Sequence, residues 1–171
     1  MNASAKDTMV VHAIGVIHSD HRLPEDTPIQ PEFARGCRGR VEVYPSYVEG
    51  LEHIETFSHL ILLYALHAAG EPQLTVRPFL DDTPRGVFAT RHPCRPNRIG
   101  LSVVRLVRRV GAVLYIEDVD ILDATPLIDI KPYVPRFDAP HGAGEGWIGT
   151  VDPEQARKRG RRGCRHGAED K

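Results

Sequence analysis

The chain has 171 residues, of which 41% are apolar and 26% charged, with a formal net charge of −1. That length suits one ordinary domain with a working core, or one domain and a tail, and the composition is that of a soluble globular protein. No run approaches the roughly 18 uncharged apolar residues of a membrane span, and MNASAKDTMVVHAIG lacks the basic-then-apolar order of an export signal, so the expectation is a cytoplasmic protein.

Residues 1–8 are polar and read as a flexible N-terminus. From Val10, VVHAIGVIHS is rich in β-branched residues and predicts a first strand. DHRLPEDTPIQPEFARG then carries three prolines and many charges, a long loop of the kind compact domains keep for function. CRGRVEVYP alternates Arg40 and Glu42 against Val41 and Val43, a half-buried strand. SYVEGLEHIETF sets Val48, Leu51 and Ile54 at helical spacing behind Ser46 and predicts a short helix. SHLILLYALHAA predicts a central strand. QLTVRPFL and RGVFAT are short extended pieces around the turn DDTP, and IGLSVVRLVRR with AVLYIEDVDIL predicts a hairpin. LIDIKPYVP extends once more, and from Arg136 onward Gly, Pro and charge take over. Strands outnumber helices by about six to one, no repeat has a fixed period, and no GxGxxG follows a strand, so the pattern predicts an antiparallel barrel or sandwich.

Four residue sets bear on chemistry. In RGVFATRHPCRPNRIGLS, residues 85–102, Pro93 and Pro96 stiffen a connector that presents Arg91, Arg95 and Asn97. Guanidinium forks suit carboxylate or phosphate, and an asparagine amide suits a base or ribose edge. Cys37, Cys94 and Cys164 are odd in number, widely spaced and without a CxxC, so reduced thiols are expected. The nine histidines form no HxH, HxxxH or HExxH pair, so no metal is expected. RKRGRRGCRH, residues 157–166, holds six Arg or Lys and no acid, which fits either an RNA-touching arm or a solubilising end.

GVFATRHPCRPNRIGLS together with DILDATPLIDIKPYVP closely resembles the signature of the TsaA/YaeB-like family, the tRNA methyltransferases called TrmO. IGVIHS, PIQP and LEHIETFSHLILLYALH add matches in the family's order, from about Ile14 to Pro135. The resemblance implies a mainly all-β fold, a small antiparallel β-barrel with one or two short helices and long loops over residues 9–138, followed by an extended, partly disordered basic tail, 139–171. It implies an S-adenosylmethionine-dependent enzyme, usually a homodimer, that methylates the exocyclic amine of threonylcarbamoyladenosine beside the anticodon of tRNA. Cofactor contacts would fall on Pro28, Ile29, Gln30, His67, Ala68, Arg91, Leu101, Asp120, Ile121, Leu122 and Asp123. Arg95, Asn97 and Lys131 would face the substrate, with no residue assigned as general base. The chain departs from the family at Ile29, Arg98 and Ala124, where many members carry arginine, proline and glycine. Two alternatives stand beside this reading: a module that binds S-adenosylmethionine or another nucleotide without catalysis, and a methyltransferase for a substrate other than tRNA.

Overall fold

The computed structural model describes residues 8–160. Residues 1–7 and 161–171 lie outside the described residues, and with them most of the expected flexible N-terminus and the end of the expected tail. Eight strands form: β1 Gly15–Ser19, β2 Arg38–Val43, β3 His59–Ala65, β4 Thr75–Val76, β5 Arg85–Gly86, β6 Ile99–Val110, β7 Val113–Glu117 and β8 Thr125–Pro132. Six of them close an antiparallel barrel in the order β1-β2-β7-β6-β3-β8, while β4 and β5 pair as a separate ribbon. The all-β barrel expected from the sequence is the fold observed.

The barrel follows from alternation. Side chains of a strand point to opposite faces with period two, so Leu60, Leu62 and Tyr64 of β3 and Gly100, Ser102, Val104 and Leu106 of β6 all turn inward. They meet Ile17, Val41, Leu114, Ile116 and Leu127 from the other strands in one core. Burying each large aliphatic side chain contributes about 1.5–3 kcal/mol. Close approach requires glycine at several positions, among them Gly15, where a Cβ would meet the Glu42 carbonyl oxygen at 2.4 Å, and Gly100, where one would meet the Tyr64 ring at 2.2 Å. The ladder shifts register between Leu106 and Arg108, a bulge that bends the long β6 around the barrel.

Several local expectations are corrected. The first strand begins at Gly15 rather than Val10, because Val10 and Val11 are exposed and pair with no neighbour. The helix expected behind Ser46 is two 3-10 turns, Pro45–Leu51 and Ile54–Thr56; Pro45 opens the first, and His53, at φ 63°, separates them with a left-handed residue that no helix accommodates. RGVFAT is extended only at Arg85–Gly86 and then turns as a 3-10 segment. Residues expected as tail carry helix α2, Pro153–Gly160, after a one-turn helix α1, Pro135–Asp138. The Gly160 carbonyl accepts the Ile29 N–H at 3.2 Å, and a Cβ at this glycine would meet the Phe33 ring at 2.4 Å. Cys94 is a free thiol, whereas Cys37 is disulfide-bonded, against the expectation of reduced thiols throughout. Among the described residues no helix is long and apolar enough to cross a membrane.

Candidate active site

β1, β3 and β7 end at one mouth of the barrel, where β2, β6 and β8 begin. The loops between them, with the 3-10 turn Gly146–Thr150, enclose a cleft of about 1150 Å³. Three connectors form its walls: residues 20–37 between β1 and β2, residues 87–98 before β6, and residues 118–124 between β7 and β8.

The polar side of the cleft is a short chain of hydrogen bonds. Arg91 donates from Nη1 to Gln30 Oε1 at 2.7 Å and so ties the second connector to the first. Ser102 donates from Oγ to Asp120 Oδ1 at 2.6 Å. That uses the only hydroxyl proton of Ser102, so Tyr64, 2.9 Å away, donates to it in turn. Tyr64 reaches this position because Gly100, its cross-strand partner, leaves room for the ring. Ser102 and Tyr64 are thus polar atoms placed in an apolar barrel to hold one carboxylate.

Burial pushes the Asp120 carboxyl up to about 7, although the Ser102 hydroxyl, a backbone N–H and the Arg91 charge all favour its ionised form. Burial and the Asp120 charge raise the Tyr64 phenol, which therefore remains protonated. A carboxyl that titrates near neutrality in a cleft is suited to proton exchange. The opposite wall is stiff and aromatic. Arg95 donates from Nη1 to the Thr90 carbonyl at 3.0 Å, and Trp147 donates from Nε1 to the Ala89 carbonyl at 2.8 Å. The Arg85 guanidinium lies 4.3 Å above the Trp147 ring, and His92 stacks on Phe79. Burial lowers the basicity of His92.

The cleft is lined by Pro28, Ile29, Gln30, His67, Ala68, Arg91, Arg95, Asn97, Leu101, Asp120, Ile121 and Leu122, all expected from the sequence. Two expected residues lie elsewhere. Asp123 turns to the far side of its connector, where it accepts the Ser19 N–H at 3.1 Å and pairs with Arg22 and His18. Lys131 sits six residues along β8 from Thr125, about 20 Å away at strand rise, and pairs with Asp129 at 2.6 Å. Neither touches the cleft within one chain. His67 Nδ1 lies 3.3 Å from Thr125 Oγ1, whose own proton goes to the Leu122 carbonyl, so Nδ1 is the nitrogen that carries hydrogen.

Tyr64, Ser102, Phe88 and Trp147 belong to this site or its support and were not singled out in the sequence. Ser102 had a signal, since it is the one hydroxyl at the inward parity of β6. Trp147 had none, because a Gly-rich stretch carries no periodicity to say where it folds.

The model of the tRNA-methyltransferase O N-terminal domain matches residues 16–139. A probable S-adenosyl-L-methionine-binding protein of Pyrococcus abyssi is 55% identical over 135 residues, covering 79% of this chain and 73% of that protein. The human tRNA (adenine(37)-N6)-methyltransferase is 32% identical over 144 residues, covering 80% of this chain and 33% of that one. The crystal structure of TrmO from Pseudomonas aeruginosa superposes with a TM-score of 0.69 at 41% identity, covering 82% of this chain. The chain spans 62% of that solved structure's length. With a family match over most of its length and a barrel of the same architecture, the chain belongs to the tRNA-methyltransferase O family.

Proposed function

We propose that this protein is an S-adenosylmethionine-dependent methyltransferase that modifies the exocyclic amine of threonylcarbamoyladenosine beside the anticodon of tRNA, working in the cytoplasm as a homodimer. The observation that carries this reading is one cleft that combines an arginine–glutamine pair, an apolar slot and a carboxylate titrating near neutrality. Its volume of about 1150 Å³ exceeds the roughly 300–1000 Å³ of a single-ligand pocket and leaves room for a cofactor beside a nucleotide.

The residues fit the cofactor on chemical grounds. Arg91, braced by Gln30, offers a guanidinium fork to a carboxylate, and Leu101, Ile121 and Leu122 offer an apolar slot to an adenosine. When bound, S-adenosylmethionine supplies a methyl group made electrophilic by its sulfonium. Asp120 then receives the proton that the acceptor amine loses as it gains the methyl. Tyr64 and Ser102 hold that carboxylate in place, and the braced connector keeps donor and acceptor within attack distance. His67 and Ala68, just past the end of β3, line the exposed rim of the cleft. Arg95 and Asn97 present the edge of the second connector to the nucleotide.

Archaeal relatives are named S-adenosyl-L-methionine-binding proteins, and the second reading is cofactor binding without transfer. One experiment separates the two: labelled S-adenosylmethionine is incubated with tRNA bearing threonylcarbamoyladenosine. Label is expected in the tRNA, and Arg91→Ala should weaken cofactor binding at least tenfold by equilibrium dialysis. Retained cofactor binding with no label in any tRNA would favour the binding module.

A further inference from the structure

The connector 118–124 has two sides, and only one faces the candidate active site. Behind it lies a second cleft of about 370 Å³ whose lining includes His18, Arg22, Arg38, Arg40, Tyr115 and Asp123. Leu122 belongs to the first cleft and Asp123 to the second, so a single strip of backbone separates them.

The second cleft opens onto an ordered surface. Register aligns His18 with Arg40, Arg40 with Tyr115, and Tyr115 with Arg108, one row of outward side chains across β1, β2, β7 and β6. The neighbouring row aligns Arg38 with Glu117 and Glu117 with Arg105. The two rows carry four arginines on β2 and β6 against one carboxylate. Glu117 is shared, pairing with Arg105 and lying 3.7 Å from Arg38. Arg40 and Arg108 contact no carboxylate among the described residues. Of the other nearby acids, Asp123 is taken by Arg22, Glu42 lies 3.8 Å from His18, and Asp20 stands at the cleft wall. A local surplus of cations on a chain of net charge −1 is segregation of charge.

Tyr115 makes the row more than a sum of charges. The Arg108 guanidinium carbon lies 3.6 Å from the centre of its ring, which anchors the side chain on the outer face while its N–H groups meet no carboxylate among the described residues. Arg40 is the register partner of the same tyrosine on the other strand. Two guanidinium groups without carboxylate partners therefore stand in register on either side of one tyrosine, an arrangement suited to phosphate contacts along a nucleic-acid backbone.

We infer that the outer wall of β2, β7 and β6, with the cleft behind Asp123, is a phosphate-binding track for the RNA whose modified base enters the neighbouring active-site cleft. The inference rests on the tRNA reading above and goes beyond it by naming the surface. It also gives Asp123 a place: this carboxylate holds Arg22 and His18 at the rim of the track rather than touching a cofactor.

The test is Arg40→Gln combined with Arg108→Gln, read as tRNA affinity against salt concentration. Each neutralised phosphate contact contributes about 0.7–0.9 to the slope of log affinity on log salt, so the double variant should lose about 1.5 in slope. At physiological salt its KM for tRNA should rise about tenfold, with kcat and cofactor affinity unchanged. Arg40→Lys with Arg108→Lys keeps the charges and should keep the slope, which separates electrostatics from misfolding. An unchanged slope and KM in the glutamine variant overturns the track. So does equal binding of polyglutamate by wild type with the same dependence on Arg40 and Arg108, which would make the partner an acidic protein. If wild type binds tRNA through these residues but transfers no methyl group, the surface stands and the enzyme reading falls.

Discussion

Asp120 and Asp123 lie three residues apart on one connector and behave in opposite ways. Asp120 faces the cleft at the barrel mouth, where burial outweighs one hydroxyl, one backbone N–H and one guanidinium field, and titrates near 7. Burial pushes Asp123 up as well, but the Ser19 N–H, Arg22 and His18 together outweigh it and hold that carboxyl below the usual range. Residue type is the same and sequence context nearly so. What separates them is the balance of burial against donors: burial outweighs the donors at Asp120 and is outweighed by them at Asp123, which depends on which side of the strip each side chain takes.

The sharpest way to break this contrast is Asp120→Asn. If Asp120 takes the acceptor proton, kcat falls about 10²–10⁴-fold while cofactor affinity changes little, measured by single-turnover methyl transfer and equilibrium dialysis. Equal loss of cofactor binding would instead make Asp120 a cofactor ligand. With Asp120 as base, activity rises with pH through about 7. Ser102→Ala removes a hydrogen bond that lowers this value, so the limb moves to higher pH.

Stability sharpens the same contrast with opposite signs. Asp120 is raised in the folded state, so its contribution to stability is full below the unfolded carboxylate range, near pH 4, and is lost as pH rises through about 7. Asp123 is depressed, so its contribution is present above that range and is lost as pH falls through its folded value. Asp123→Asn should therefore cost about 1 kcal/mol at pH 7 and progressively less on acidification, whereas Asp120→Asn should raise Tm at pH 8 and not at pH 4. Thermal melts across that range check both. A Tm of the Asp123 variant that tracks wild type at every pH would remove the ring of donors from the account.

The smallest expected effect lies at the end of the same connector. Ala124 sits at φ 60°, a left-handed conformation that costs a residue with a Cβ about 1 kcal/mol. Ala124→Gly should relieve it and raise Tm by about 2–4 °C, without altering the spacing of Asp120 from Ser102.

Much of this is legible in the amino-acid sequence. Val41 and Val43 against Arg40 and Glu42 already assigned β2 an inner and an outer face, and the motif around Arg91 led to the first cleft. The failures have physical causes. Helical spacing behind Ser46 was real, but Pro45 and a left-handed His53 divide the segment into 3-10 turns. A motif carries no information on which way a turn residue points, and Asp123 faces Arg22 and His18 rather than the first cleft. Ser102 was overlooked because a hydroxyl among valines reads as filler until its partner across the barrel is known.

Period-two patterning and turn residues, both local properties, determined by themselves that this chain makes short antiparallel strands and which side chains face the core. Only the tertiary structure decided the chemistry of the mouth. Barrel closure sets Tyr64 opposite Gly100 and beside Ser102, returns Gly160 beneath Ile29, and divides one acidic connector between two clefts. Such contacts join residues far apart in the chain, and the energy of a buried charge depends on what surrounds it in space rather than on what adjoins it in sequence.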